Sequence, residues 1–241
     1  MTHFRWAVLL LAWAASPAFA GPPYLTDDPE PTDTGHWEIY AFGATEGRHS
    51  IVEGSAGLDI NYGAAEGVQL TATLPLSFSH APSGGWQSGR GDLELAVKYR
   101  FLNDEAHGFS AAVFPRAILP TASHSPGERT RFLLPLWTQL DFAGGTSLFG
   151  GGGYTINPGA GNRDYWQAGV ALTHDASKKV SLGAEITRQG SDTQAGTAQT
   201  RAGIGAIVQL SGRYALLFSG GPTFAEHQTA YHAYAALGTN F

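Results

Sequence analysis

The chain has no cysteine, a single methionine and few charges: only 14% of its 241 residues are Asp, Glu, Lys or Arg, against about 25% in an ordinary soluble domain. An exported protein that avoids stray disulfides would lack cysteine, although a cytosolic protein can lack it too. No apolar run approaches the roughly 18 residues of a spanning helix, so a membrane-crossing form of this chain has to be a barrel. Scarce charge suits a surface that faces hydrocarbon. The formal net charge of −6 argues against a nucleic-acid partner.

What the chain has in quantity is period-two alternation. From Asp92 to Phe101, Leu93, Leu95, Val97, Tyr99 and Phe101 alternate with Asp92, Glu94, Ala96, Lys98 and Arg100. Successive strand side chains point to opposite faces, so one face is apolar and the other carries four charges. A soluble sandwich would bury the apolar face; a barrel would turn it to lipid and line its lumen with the charges. Strands are expected near 37–45, 53–62, 67–78, 91–101, 108–119, 131–142, 146–156, 164–174, 179–188, 200–210, 213–219 and 231–241. Their connections alternate. Tight turns rich in Gly, Asn, Asp and Ser at 63–66, 102–107, 143–145, 175–178 and 210–213 are interleaved with longer ones at 79–90, 120–130, 189–199 and 220–230. An outer-membrane barrel has short periplasmic turns, longer outer loops and an even strand count. The expected fold is therefore all-β: a transmembrane, antiparallel, up-and-down barrel of about twelve strands over residues 37–241.

The first twenty residues read as a secretory signal peptide, with Arg5 as the positive region, Trp6 to Ala15 as the short apolar core and cleavage between Ala20 and Gly21. Residues 21–36, with four prolines and the acidic Asp27, Asp28 and Glu30, have no periodicity and are expected to form an irregular periplasmic lead-in. The last strand places Tyr231, Ala233, Ala235, Leu237, Thr239 and Phe241 on one face. A terminal aromatic such as Phe241 resembles the assembly signal of outer-membrane proteins, which implies the barrel-assembly machinery and periplasmic chaperones as partners during biogenesis and outer-membrane lipid thereafter.

Several blocks carry a family resemblance. Pro22-Pro23-Tyr24-Leu25-Thr26-Asp27-Asp28-Pro29, Gly35-His36-Trp37-Glu38, Gly89-Arg90-Gly91-Asp92-Leu93-Glu94-Leu95 leading to Lys98-Tyr99-Arg100-Phe101, Leu119-Pro120-Thr121 and the glycine run from Gly150 to Gly153 before Tyr154 resemble the family described as MetA-pathway of phenol degradation. The Gly-Asp to Lys-Tyr-Arg-Phe block is the most specific. The resemblance implies an outer-membrane barrel of transporter type, linked to uptake of aromatic or other hydrophobic compounds, and it brings no binding residues with it.

Motifs for chemistry are sparse. Gly150 to Gly153 lack the Lys and Ser or Thr of a phosphate loop, and glycine inside a strand marks a bend or close backbone approach. The histidines are scattered, with no zinc spacing. A lipid-modifying enzyme would need a nucleophile with a base in reach; Ser123-His124-Ser125 and His49-Ser50 are the adjacent pairs, and no G-x-S-x-G elbow occurs. No catalytic residue, metal or cofactor site is expected.

Strand parity sends Glu38, Asp59, Asp92, Glu94, Asp141 and Glu185 inward with Lys98, Arg100, Arg116, Arg131 and Arg201. These six acids and five bases nearly cancel, as an ion-paired wall or a polar constriction would. Trp37, Tyr99, Phe101, Phe109, Phe142, Tyr154, Tyr165, Trp166, Tyr214 and Tyr231 cluster near strand ends as interfacial girdles. Phe42, Phe114, Trp137 and Tyr234 break parity and are expected to supply apolar lumen surface. The functional expectation is a passive, porin-like channel for small hydrophobic or aromatic molecules. Its rivals are an outer-membrane lipid-modifying enzyme and a barrel that serves only structure or interaction.

Overall fold

The computed structural model describes residues 23–123, 128–226 and 228–241. The signal-peptide cleavage site at Ala20 and Gly21, together with His124, Ser125 and His227, lies outside the described residues.

Among the described residues, fourteen strand segments form one antiparallel sheet that closes on itself. They are β1 (Trp37–Arg48), β2 (Ile51–Ala65), β3 (Val68–Ala81), β4 (Gly85–Arg90), β5 (Leu93–Asp104), β6 (Phe109–Val113), β7 (Arg116–Leu119), β8 (Arg131–Phe142), β9 (Thr146–Ile156), β10 (Tyr165–Ser177), β11 (Val180–Gln189), β12 (Gln199–Gln209), β13 (Tyr214–Ala225) and β14 (Gln228–Asn240). Two pairs of segments are single wall strands with an interruption. Both β4 and β5 pair with β3 and are separated by Gly91-Asp92; β6 and β7 both lie between β5 and β8 and are separated by Phe114-Pro115. Proline has no N–H to donate, so the ladder lapses there. Twelve wall strands result, and β1 closes on β14 from Glu38↔Asn240 to Gly47↔Tyr231.

Alternation decides which way each side chain points. Leu58, Leu74, Leu95, Leu134, Leu172 and Ile204 are all exposed, Ile204 at 73%, and each sits on the outward parity of its strand. Such a belt would aggregate in water, whereas a closed barrel in hydrocarbon leaves no edge and no unpaired backbone. Trp37 packs against Tyr62 and Tyr154 against Trp166 in tilted ring contacts at strand ends, on the same outer side. Tyr165 departs from the girdle expectation, because it pairs with the buried Thr155 and takes the inward parity of Gln167.

The glycine run forms the middle of β9. Gly151 lies directly opposite Trp137, and a Cβ there would stand 3.0 Å from both the Leu136 carbonyl carbon and the Trp137 ring. The first obstacle is the Leu136 carbonyl oxygen, so close backbone approach requires the glycine, and the indole closes the remaining space. No loop for phosphate exists at this point of the chain.

The alternation of short and long connections is partly a matter of hairpin length. Residues 79–90 and 220–230, read from the sequence as long loops, are extensions of paired strand: Ala81 faces Gly85, and Ala225 faces Gln228. Serine, threonine and histidine on both faces of these extensions hide their period-two pattern. Residues 190–198 form a true loop, joined to that between β9 and β10 by the Asn162↔Thr193 bridge and by Arg163 N–H donating to Asp192 O.

Candidate functional site

Residues 21–36 are described from Pro23 onward, and they lie inside the barrel instead of below it. His36 stands at the short-turn end, where Gly35 N–H donates to Gly63 O. Thr32 then bonds through its N–H (2.7 Å) and its hydroxyl (3.1 Å) to Gln69 Oε1. Gln69 is itself held by Asn61 and Thr71. The segment crosses the lumen at mid-height. On the far wall Glu185 accepts from Leu25 N–H, Thr26 N–H and the Thr26 hydroxyl, at 3.2, 3.0 and 3.0 Å, and Ser219 donates to Pro23 O. The lead-in is a strap across the channel.

Its acids meet the basic face of β5 and β7. Lys98 Nζ, at 1% side-chain exposure, lies 3.0 Å from Asp27 and 3.4 Å from Asp28 and also donates to Glu30 O. Arg100 pairs with Glu30, and Arg116 bridges Asp27 (2.7 Å) and Glu94 (3.2 Å). Phe114 sits between these cations, its ring centroid 4.9 Å from Lys98 Nζ and 4.2 Å from Arg116 Cζ. Burial, followed by the Glu185 charge, pushes the Tyr24 phenol up to about 12, so it stays neutral. Burial likewise raises Asp28 to about 6, against the pull of Lys98.

Above the strap a chamber of about 650 Å³ is floored by Pro23, Tyr24, Leu25 and Asp27 and rises to Glu46 and Glu53. Its aromatic lining includes Tyr40, Phe42, Phe114 and Tyr234, and Phe42 stacks on Tyr234 at 6.3 Å and 13°.

The eleven charges picked out by parity divide into groups. Lys98, Arg100 and Arg116 clamp the strap, and Glu185 receives it. Arg131 pairs with Asp92 at 2.8 Å, and Asp92 also accepts from Ala122 N–H, so this pair ties down the connection after β7. Arg201 pairs with Glu46 at 3.0 Å. Asp59 lines the chamber and accepts from Asn61 Nδ2 at 3.3 Å. Glu38 is buried near the short-turn end and accepts from the Tyr40 hydroxyl. Asp141 is exposed at that same end and is held by Gln139 and Ser147, apart from the rest.

Of the four aromatics expected to supply apolar lumen surface, Phe42 and Tyr234 line the chamber on the inward parity of β1 and β14, and Phe114 is the ring between two cations. Trp137, 2% exposed, faces inward, packs with Ala96 and Phe114 and lines a smaller cavity beside Leu25 and Arg116. Tyr40 and Gln69 lie on the inward parity of β1 and β3 but, being uncharged, are not among the charges picked out, and the strap acids lie outside the wall pattern altogether. Among the described residues no group of three or more His, Asp and Glu side chains could hold a metal. Ser123 Oγ accepts from Arg90 N–H, and the Ser50 carbonyl oxygen lies 3.0 Å from His80 Nδ1.

This fold is shared with solved outer-membrane channels. An outer membrane channel from Pseudomonas putida F1 superposes with a TM-score of 0.73 at 13% identity, over 89% of this chain and 98% of that one. The NanC porin gives 0.60 at 9% identity, over 84% and 98%. The KdgM porin in complex with disordered oligogalacturonate gives 0.58 at 12% identity, over 85% and 99%. No family model matches the sequence, and no curated protein matches it either.

Proposed function

We propose that this chain is an outer-membrane barrel acting as a passive conduit for small apolar or aromatic solutes, with the strap as its constriction. The observation that carries the reading is the strapped lumen: a closed barrel, apolar outside, holding a chamber of about 650 Å³ with aromatic walls. Pockets of this size and lining suit small organic molecules. The fold shared with channels and porins supports transport over catalysis, and the apolar belt supports placement in a bilayer. The resemblance to the MetA-pathway of phenol degradation family agrees in solute class. Twelve strands give a lumen narrower than the open channel of 16–18 strands, and the strap narrows it further. Large hydrophilic solutes are therefore excluded.

Proteoliposomes loaded with the purified, folded barrel test this. Benzyl alcohol should equilibrate faster than in protein-free vesicles, while a trisaccharide stays out. A folded barrel that passes neither would leave a structural or interaction role.

A further inference from the structure

Charge bookkeeping for the chamber differs from that for the wall alone. Asp27, Glu46, Glu53, Asp59, Glu94 and Glu185 line it, against Lys98, Arg116 and Arg201. All three bases are already paired, with Asp27, Glu94 and Glu46. Among the described residues Glu53, Asp59 and Glu185 form no salt bridge of their own, although the Arg116 charge still reaches Asp59, so acids outnumber bases in the chamber by three. Near the mouth Glu46 and Glu53 stand directly across β1 and β2 from each other, an arrangement that costs sheet stability.

A second observation is independent of charge. Asp59 lies directly opposite Tyr40, and Phe42 pairs with Gly57, which makes Phe42 the diagonal neighbour of Asp59 on the inward face. Phe42 is stacked on Tyr234. One carboxylate is thus flanked by three aromatic side chains that all line the chamber. Aromatic faces carry negative potential and attract ammonium groups; acidic rings do the same for cations in channels. Carboxylate and ring faces together complement an organic cation, and both oppose an anion.

We propose that the chamber selects small organic cations, with an ammonium group at Asp59 and an apolar body against the Phe42–Tyr234 pair. This rests on the conduit reading and names the solute's charge. A cation of this kind need not displace a protein base to enter, because the bases present are held by their own acids. An anion would meet Glu46 and Glu53 at the mouth, where Arg201 is already held by Glu46, and deeper in it would compete with Asp27 and Glu94 for Arg116.

The test compares 2-phenylethylammonium, phenylacetate and benzyl alcohol in the same proteoliposomes. These share a ring and differ chiefly in charge. After subtraction of the flux through protein-free vesicles, the ammonium should cross faster than the carboxylate by roughly fivefold, as one cation–aromatic contact supports. Asp59→Asn should bring that ratio down severalfold, and Glu53→Gln should lower it less. Reading the ratio within each preparation cancels any difference in the amount of folded barrel. A ratio of one in the parent protein overturns the proposal, as does a ratio that Asp59→Asn leaves unchanged. If benzyl alcohol crosses faster than in protein-free vesicles in either case, selectivity alone has failed; if none of the three solutes crosses faster than in protein-free vesicles, the conduit has failed with it.

Discussion

At the scale of single residues, the basic face of β5 gains its meaning from a segment some seventy positions earlier in the chain. Lys98 is fully enclosed, and its ammonium is matched by Asp27, Asp28 and the Glu30 carbonyl. Breaking a buried ion pair from one side leaves the other charge unmatched, at a cost of about 3–5 kcal/mol. Lys98→Met is therefore expected to undock the strap while the wall, held by its own ladders, survives. Chymotrypsin should then cut after Tyr24 or Leu25 in folded barrels that were protected before, and single-channel conductance should rise. Unchanged protection would mean that the clamp is not what holds the strap. The opposite wall makes its own provision. A Cβ on Gly169 would collide with the Thr26 hydroxyl and come within 2.8 Å of Thr187 Cγ2, both of them side-chain atoms. Gly169→Val should push Thr26 away from Glu185, with the loss of about 1.5–3 kcal/mol for a hydrogen bond to a charged group. The same proteolysis and conductance measurements report it.

For the elements, the strands were legible because outward Leu, Val and Phe alternate with inward polar residues; the expected segment 131–142 is β8 and 146–156 is β9. Legibility failed where both faces turn polar. There the hairpins of β3–β4 and β13–β14 pass for loops, since period two is visible only when the faces differ. The strap was the least legible element. Its prolines and acids read as a solvated tail, and nothing local pairs Asp27 with Lys98 across 71 positions. Inward parity did identify Lys98, Arg100, Arg116 and Glu185, the wall half of the contact. Its pH response follows from Asp28. A carboxyl at about 6 when docked, and at 3.8 when free, holds its proton more tightly in the docked state. Its contribution to docking is complete below 3.8 and is lost as pH rises through about 6. A nitroxide on Leu25→Cys should therefore be more immobile at pH 5 than at pH 7.5, and Asp28→Asn should remove the difference. Greater mobility at pH 5 in the parent protein would reverse the sign and show that loss of the Lys98 partner dominates.

At the scale of the whole molecule, the strap gives the barrel a direction. It joins β1 at the short-turn end and reaches mid-height, so the chamber above it opens toward the longer connections, beside Glu46 and Glu53. If short turns face the periplasm, as in bacterial outer-membrane barrels, the strap is reached from the periplasmic side and the chamber from outside the cell. A solute would thus meet the acidic, aromatic chamber first and the constriction second. The same placement fixes accessibility at defined residues. Gly84 and Thr193 belong to the connections at the chamber end, while Asp104 and Ser177 end β5 and β10 at the other. The parent chain has no cysteine, so single cysteines can be placed without background. On intact cells a membrane-impermeant maleimide should label cysteines at positions 84 and 193 and spare those at 104 and 177 until the outer membrane is permeabilised. Labelling at 104 and 177 with none at 84 and 193 would invert the barrel, and the chamber would then receive solute from the periplasm after the strap instead of before it.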